Sequence, residues 1–476
     1  MWDWITAELK SIENEFKNVL AQMPAGMAKK EGGLSADVFL FHFCKLPPGN
    51  LDARLGHALF GTIRGSRQEQ YVTLGDIIVA KASCLRMGED AAREFCFKIL
   101  CRVSFLIAGG TNQEPTLTIE RSPLEQALRA CLKLALGAEA SSSSDCVEAI
   151  AEGALSINGL KRSSMDLDCY SRWSKCWPAF HDLLSALIKG AGWSQDSLEM
   201  KGDPGTAHVR TQPEVSSQGM AGIQMEQCKQ NDINKLLPSL LDLGRLKPED
   251  FLLQPVWSWL VASCLPPDMR REWRCLFSTQ RDGKSFNTMM GRLGRCEGPT
   301  LLLVKDKEGG HVMGGFASAP WVKNGSYFGD YSTFIFGLYP VTLMYKATGI
   351  NSNFQWCGMG FSQLPNGCGF GGAQGSNNMG QFALYVDSTL DTGMSRPIAT
   401  FGNDPLASNQ IFQVSVVECW QLKPNEEDLE EPLPGKSGNK KKGSILDRAQ
   451  DRHILGLAGV KVNNSDGLRP EEPIEE

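Results

Sequence analysis

Gly314-Gly315-Phe316-Ala317-Ser318-Ala319-Pro320-Trp321 is the stretch on which the reading of the C-terminal half turns. Two glycines inside a run that otherwise suits a strand mark a bulge or a close backbone approach, because a side chain would fill space another segment needs. Trp321 reads as a large core filler whose indole N–H needs a partner. Working outward, residues 300–305, 311–319, 333–338, 341–346, 382–387 and 414–422 are short β-rich runs bounded by Gly, Asn and Pro. Successive strands without helices between them predict an antiparallel β-sandwich, not a doubly wound parallel sheet.

Upstream of these strands the period is helical. Residues 254–264 and 267–277 suggest two helices separated by Pro266 and Pro267, and Ser285 caps a shorter one through Phe286, Met289 and Met290. Farther toward the N-terminus, helices are expected near 51–60, after Thr73 as N-cap, and over 89–107, 122–137, 145–155 and 178–190. Residues 2–20 form an amphipathic helix, with Trp2, Ile5, Leu9, Ile12, Phe16 and Val19 on one face and an acidic-leaning polar face opposite. A membrane-surface helix usually has a Lys/Arg-rich polar face, so docking against protein is the expectation.

The fold class is therefore α+β, in five stretches. Residues 1–193 are helical, 194–235 a Gly/Ser/Gln/Pro-rich linker, 236–422 the β-rich domain, 423–443 a charged linker, and 444–476 a short helix with an acidic tail. The first linker has too few large apolar residues to offset its ordering entropy. The second, as a flexible coil, reaches about 25 Å.

Composition bounds the function. In 476 residues, 42% hydrophobic and 21% charged content is that of a soluble globular protein, and a net charge of -6 gives no global field to attract nucleic acid. Met1-Trp2-Asp3-Trp4 is not a secretory lead, and no apolar run approaches the roughly 20 residues of a transmembrane helix. The 15 cysteines include no pair with metal-site spacing, so reduced thiols and a cytosolic location are expected.

Several motifs tempt and fail. Gly367-x-Gly369-x-x-Gly372, with Asp387 downstream, fits a dinucleotide fingerprint, but a strand rather than a helix follows, so no helix N-terminus can hold a pyrophosphate. Gly283-Lys284-Ser285 and Gly435-Lys436-Ser437 lack the upstream glycine of a phosphate-binding loop, those positions holding Ser278 and Glu430. None of the six histidines has metal-ligand spacing, and His311 reads as a solvated hairpin residue. The helix-flanked segment 61–73 offers one acid, Glu69, beside Arg64 and Arg67, and so should not take calcium. We expect no catalytic residue, no cofactor and no metal.

The opening stretch resembles the glycine-glycine-aromatic-alanine-serine…tryptophan signature of TLDc domains. Phe334-Ile335-Phe336-Gly337-Leu338-Tyr339-Pro340, then Gly369-Phe370-Gly371-Gly372, Ala383-Leu384-Tyr385-Val386-Asp387, Gly393-Met394-Ser395, Thr400-Phe401-Gly402-Asn403-Asp404-Pro405-Leu406 and Val417-Glu418-Cys419-Trp420 follow in the family's order. Within the family the likeness is greatest to the lysosomal TOR-associated branch, counterparts of a nematode longevity factor, whose N-terminal half is helical and degenerate EF-hand-like. The resemblance implies a β-sandwich flanked by helices and a non-enzymatic regulator that binds subunits of the vacuolar proton-pumping ATPase. TOR-complex components are further implied partners, and recruitment from the cytoplasm to a lysosomal or vacuolar membrane the implied location. An alternative implied by the family is oxidative-stress protection through cysteine-based or other chemistry. Trp2 stands where that branch has a glycine suited to myristoylation, so lipid anchoring is not supported.

Gly314, Gly315, Phe316, Trp321, Gly371, Gly372, Glu418 and Trp420 are the signature positions, read as structural. Glu418, beside Trp420 inside a strand, is expected to be an internal hydrogen-bond acceptor. Ile445, Leu446, Arg448 and Arg452 on the C-terminal helix are the candidate partner contacts.

Overall fold

The computed structural model describes residues 2–22, 33–42, 53–65, 71–110, 116–137, 144–157, 160–189, 237–373 and 380–424. The linker expected at 194–235 and the chain from 425 onward, with Ile445, Leu446, Arg448 and Arg452, lie outside these residues.

Helices fill the N-terminal half: α1 (Trp2–Gln22), α2 (Ala36–His42), α3 (Ala53–Arg64), α4 (Leu74–Leu85) and α5 (Glu89–Ile107). Ile12, Phe16 and Val19 of α1 are buried, as their three- and four-residue spacing requires. Thr73 opens α4 with a reciprocal cap, its hydroxyl accepting from the Asp76 amide while the Asp76 carboxylate accepts from the Thr73 amide at 2.8 Å. An antiparallel bridge between Leu34 and Val72 ties the α1–α2 loop to the α3–α4 loop. The chain continues through β1 (Ile119–Glu120), α6 (Arg121–Leu136), α7 (Ser144–Leu155), the two-residue strands β2 (Ser156–Ile157), β3 (Leu160–Lys161) and β4 (Ser164–Met165), then α8 (Leu167–Cys176) and α9 (Ala179–Lys189). Asp166 starts α8 by accepting the Cys169 amide at 2.8 Å.

The β-rich region begins with β5 (Ser239–Leu241), α10 (Pro255–Ser263), β6 (Glu272–Ser278), the single turn α11 (Thr279–Asp282) and α12 (Phe286–Leu293), which Ser285 caps as expected. The helix expected over 267–277 is not there. One 3-10 turn at Pro267–Met269 leads directly into β6, whose residues from Trp273 to Ser278 are all buried. A strand covered on both faces loses the alternation that would identify it, which is why its apolar run reads as helical.

Nine more strands follow: β7 (Thr300–Asp306), β8 (Val312–Ala317), β9 (Phe334–Tyr339), β10 (Leu343–Lys346), β11 (Gln355–Gly358), β12 (Gly367–Phe370), β13 (Leu384–Asp387), β14 (Thr392–Met394) and β15 (Ile411–Leu422). They join in the order β10-β9-β8-β7-β15-β14-β13-β12-β11, with β6 on the far end of β15 and β5 on β6. All these pairs are antiparallel except β5–β6, which is parallel. The long strand β15 is the hinge of the architecture: residues 411–413 pair with β14, 414–421 with β7, and 418–422 also with β6 on the other side. The two wings fold over each other there, so that the Phe370 ring of β12 lies against Gly315 of β8.

One apolar core runs without a break from the helices onto the sheet. It contains Phe180, Leu184 and Ile150 from the helices, Trp257 and Trp259 from α10, and Leu301, Leu303, Phe334, Phe336 and Leu338 from the strands. Polar contacts seal the junction: the Thr342 amide donates to the Ala149 carbonyl at 3.0 Å, and the Cys264 thiol to the Cys176 carbonyl at 3.3 Å.

Candidate functional site

The register places the signature residues in rows. Gly314, Leu303 and Glu418 are opposite one another across β8, β7 and β15; Gly315, Leu302 and Cys419 form the next row, and Phe316, Leu301 and Trp420 the third. Side chains of alternate rows point to opposite faces. Glu418 and Trp420 thus share the helix-facing side, and Gly315 faces the other wing. A side chain at Gly315 would strike the Phe370 ring, and one at Gly314 the carbonyl of Leu302 and the Phe336 ring. Both glycines therefore serve close approach, as the sequence suggests. Trp321 sits edge-on to Phe370 at 5.7 Å, and its Nε1–H donates to Thr300 Oγ1 at 2.8 Å. Gly371, at φ 68°, adopts a conformation open to few other residues and packs against Ala383, while Gly372 abuts the Tyr327 hydroxyl.

Glu418 is fully buried. Its Oε1 accepts the Leu252 amide at 2.8 Å and its Oε2 accepts Trp420 Nε1–H at 3.1 Å. Phe251, next in the chain to Leu252, meets Trp420 edge-to-face at 5.3 Å. Burial pushes the carboxyl up to about 7, against the pull of the amides of Leu252 and Leu253, the Trp420 indole and the Arg281 charge. This carboxyl, two residues from a core tryptophan, joins the segment 251–254 to the middle of the sheet.

Beside it lies a buried ion cluster that no spacing in the sequence announces. Arg281 and Arg292 both bond to Asp282 Oδ2, at 2.8 and 2.7 Å, and Arg274 pairs with Asp242 at 2.6 Å. Burial works against the charge of Asp282, yet the bonds from Arg281, the Ser278 amide and Arg292 hold its carboxyl below the ordinary value. Arg281 also donates to the carbonyls of Asp242, Cys275 and Leu276, so the cluster stitches β5, β6 and α11 together.

The failed motifs fall into place. Gly367–Phe370 is a strand, with Gly369 pressed against the Leu384 carbonyl of β13. Lys284 donates to Asp391 at 2.6 Å and to the Val414 carbonyl at 3.1 Å, so it is already occupied. His311 is not the solvated hairpin residue expected: it is half-buried, and its Nδ1 lies 3.1 Å from the Leu406 carbonyl because the 406–408 segment folds over the β7–β8 turn. Among the described residues there is no group of three or more His, Cys, Asp or Glu placed to hold a metal ion. A depression of about 460 Å³ opens between Ser285, Asn287, Met359, Gly360, Asn366 and Ser388, but the Asn366 amide is already bonded to the Phe361 backbone in both directions.

Among the described residues, several buried thiols are poorly disposed for nucleophilic work. Burial pushes Cys101, Cys264 and Cys275 up to about 12 and Cys357 to about 11, and lifts Cys368 and Cys419 well above the usual range. A thiol held protonated is a weak nucleophile.

Comparison with known proteins agrees with this geometry. Residues 247–423 match the TLDc domain, covering α10 and every strand from β6 to β15. The chain is 33% identical over 216 residues to MTOR-associated protein MEAK7 of Danio rerio, covering 44% of this chain and 45% of that one. It is 32% identical over 247 residues to the Homo sapiens protein of that name, covering 49% and 51%. Oxidation resistance protein 1 of Rattus norvegicus is 28% identical over 245 residues, covering 48% of this chain and 27% of that one. The chain thus spans about half the length of the first two relatives.

Proposed function

We propose, from the premise that this chain carries a TLDc domain at residues 247–423, that it is a non-enzymatic regulator linked to TOR signalling which binds the vacuolar proton-pumping ATPase through that domain. The TLDc match, together with the likeness to proteins whose name records association with MTOR, carries the reading. The buried signature supports it: Gly314, Gly315, Phe316, Trp321, Glu418 and Trp420 hold the two wings and the helical layer in register. Recognition then falls to the surface this frame presents. We place the protein on the cytosolic side of a lysosomal or vacuolar membrane, held there by its partner; among the described residues no helix is long and apolar enough to cross a membrane.

The likeness to oxidation resistance protein 1 raises a second reading, protection through cysteine chemistry. The raised thiols of the sheet oppose it. One experiment separates the two. The full chain, tagged and captured from lysate, should recover proton-pump subunits and TOR-complex components, and the purified chain should not consume hydrogen peroxide catalytically. Recovery of neither partner, with thiol-dependent peroxide turnover, reverses the assignment.

A further inference from the structure

The segment 251–254 joins two parts of the molecule. On one side it is bonded to the sheet through Glu418; on the other it runs directly into α10. α10 is one of the elements of the β-rich region that reach the helices. Trp259 meets Phe180 edge-to-face at 5.0 Å, Cys264 beyond its end donates to the Cys176 carbonyl, and the Cys146 thiol lies 3.8 Å from Gln254 Oε1. Whatever holds Leu252 to the sheet therefore also sets the base from which the helical layer is gripped.

The holding group is a carboxyl in an unusual setting. Glu418 has no exposure, and among the described residues no cation is ion-paired with it. The groups around it come from four elements. β15 contributes the Trp420 indole and the Cys419 thiol; β6 contributes the Cys275 thiol and the apolar side of the strand; β7 contributes Leu303 directly opposite. α11 contributes Arg281 and Asp282, whose charges are largely spent on each other. The entering segment contributes only backbone amides. Three neutral N–H groups and an already paired guanidinium leave an ionised carboxylate under-compensated for its lost water. If the segment lifts, water reaches the carboxyl and charge is no longer penalised.

We propose that Glu418 is a proton-operated latch: protonated, it favours the closed packing of segment 251–254 on the sheet, and deprotonated, it favours release of that segment and of the α10 base that grips the helices. The position of the carboxyl near 7 puts the changeover within the physiological range. Acidification tightens the latch, because the closed state binds the proton more strongly than the open one.

Hydrogen exchange on the full chain tests it. The observable is the protection factor of the Leu252 and Leu253 amides, corrected for intrinsic rate, at pH 6 and pH 8. With the closed carboxyl near 7 and an open one near 4.5, protection should be roughly tenfold higher at pH 6. Glu418→Gln keeps the shape without the titration, and its protection should be flat across the range. Leu252 and Leu253 should be less protected than Leu301 to Val304 of β7 at both pH values, because the latch opens without global unfolding. Equal protection of Leu252 at both pH values in the native chain overturns the latch. So does protection of Leu252 equal to that of β7, or a slope that survives in Glu418→Gln. Should the variant fail to fold, the contrast between Leu252 and β7 in the native chain still decides.

Discussion

The Thr342 carbonyl oxygen lies so close to Gly153 that a side-chain carbon at 153 would overlap it. One turn earlier in α7, the Ala149 carbonyl accepts from both the amide and the hydroxyl of Thr342, at 3.0 and 3.4 Å. Helix α7 therefore docks backbone-to-backbone on the segment that connects β9 to β10. A backbone contact of this kind cannot adjust by changing a rotamer. Gly153→Ala should destabilise the chain by about 1–3 kcal/mol, the usual range for overpacking, although Ala in a free helix gains about 1 kcal/mol over Gly. Urea unfolding measures this, and a variant as stable as the native chain would mean that the interface yields.

Trp321 and Thr300 supply a second test of the signature. The indole N–H is buried and its partner is the Thr300 hydroxyl, itself inaccessible. Thr300→Val keeps the shape and removes the acceptor, which should cost about 1–3 kcal/mol for a buried donor left unmet. Thr300→Ser keeps the acceptor and should lose less than half as much. If both variants melt at the native temperature, the tryptophan is held by packing alone.

Much of this was legible in the sequence because local chemistry and tertiary structure agree. Thr73 and Ser285 announce their helices through hydroxyls that cap whatever the rest of the chain does. Glu418 beside Trp420 is readable as an internal acceptor, since a carboxylate inside an apolar strand needs donors nearby. β6 is misread because burial on both faces erases its alternation. β11, β12 and β14 escape because their glycines meet the needs of neighbouring strands, a requirement visible only once Cys357 is seen opposite Cys368 and Gly393 opposite Phe412. α8 hides for another reason: Tyr170 and Trp173 are weak helix formers that the core holds in place. Leu252 as the partner of Glu418 lies 166 positions away, beyond the reach of any spacing rule.

Asp306 closes the β7–β8 turn in a way the sequence conceals. One oxygen accepts the His311 amide at 2.9 Å and the other the Ser408 amide at 3.1 Å, joining the hairpin to the segment before β15. Burial raises this carboxyl, but the Ser408 hydroxyl and amide and the His311 amide outweigh it, and the net displacement is downward. The stability it contributes is present above the unfolded value of 3.8 and is lost as pH falls through the lower folded value. Asp306→Ala should cost about 2–3 kcal/mol at pH 7 by stranding two amides. Thermal melts at pH 7 and pH 3 would show the deficit narrowing in acid; a constant deficit would mean the carboxylate charge contributes nothing.

Glu418 should leave the opposite mark on global stability. Its folded value near 7 lies above the unfolded 4.5, so its contribution is full below 4.5 and declines as pH rises through 7. Asp282 and Asp306 are displaced downward from 3.8 and stay ionised throughout pH 5 to 8, so they cannot mask it. The full difference between those values corresponds to about 3 kcal/mol, most of it lost between pH 5 and 8. Glu418→Gln removes the titration but leaves one of the two donors, Leu252 N–H or Trp420 Nε1–H, facing an amide N–H₂. The variant should therefore be less stable than the native chain at pH 5, by roughly 1–3 kcal/mol for the unmet donor. With rising pH the native chain weakens and the variant does not, so their unfolding free energies should converge toward pH 8. Parallel curves across that range would show that the carboxyl is ionised in the folded chain at both ends of it.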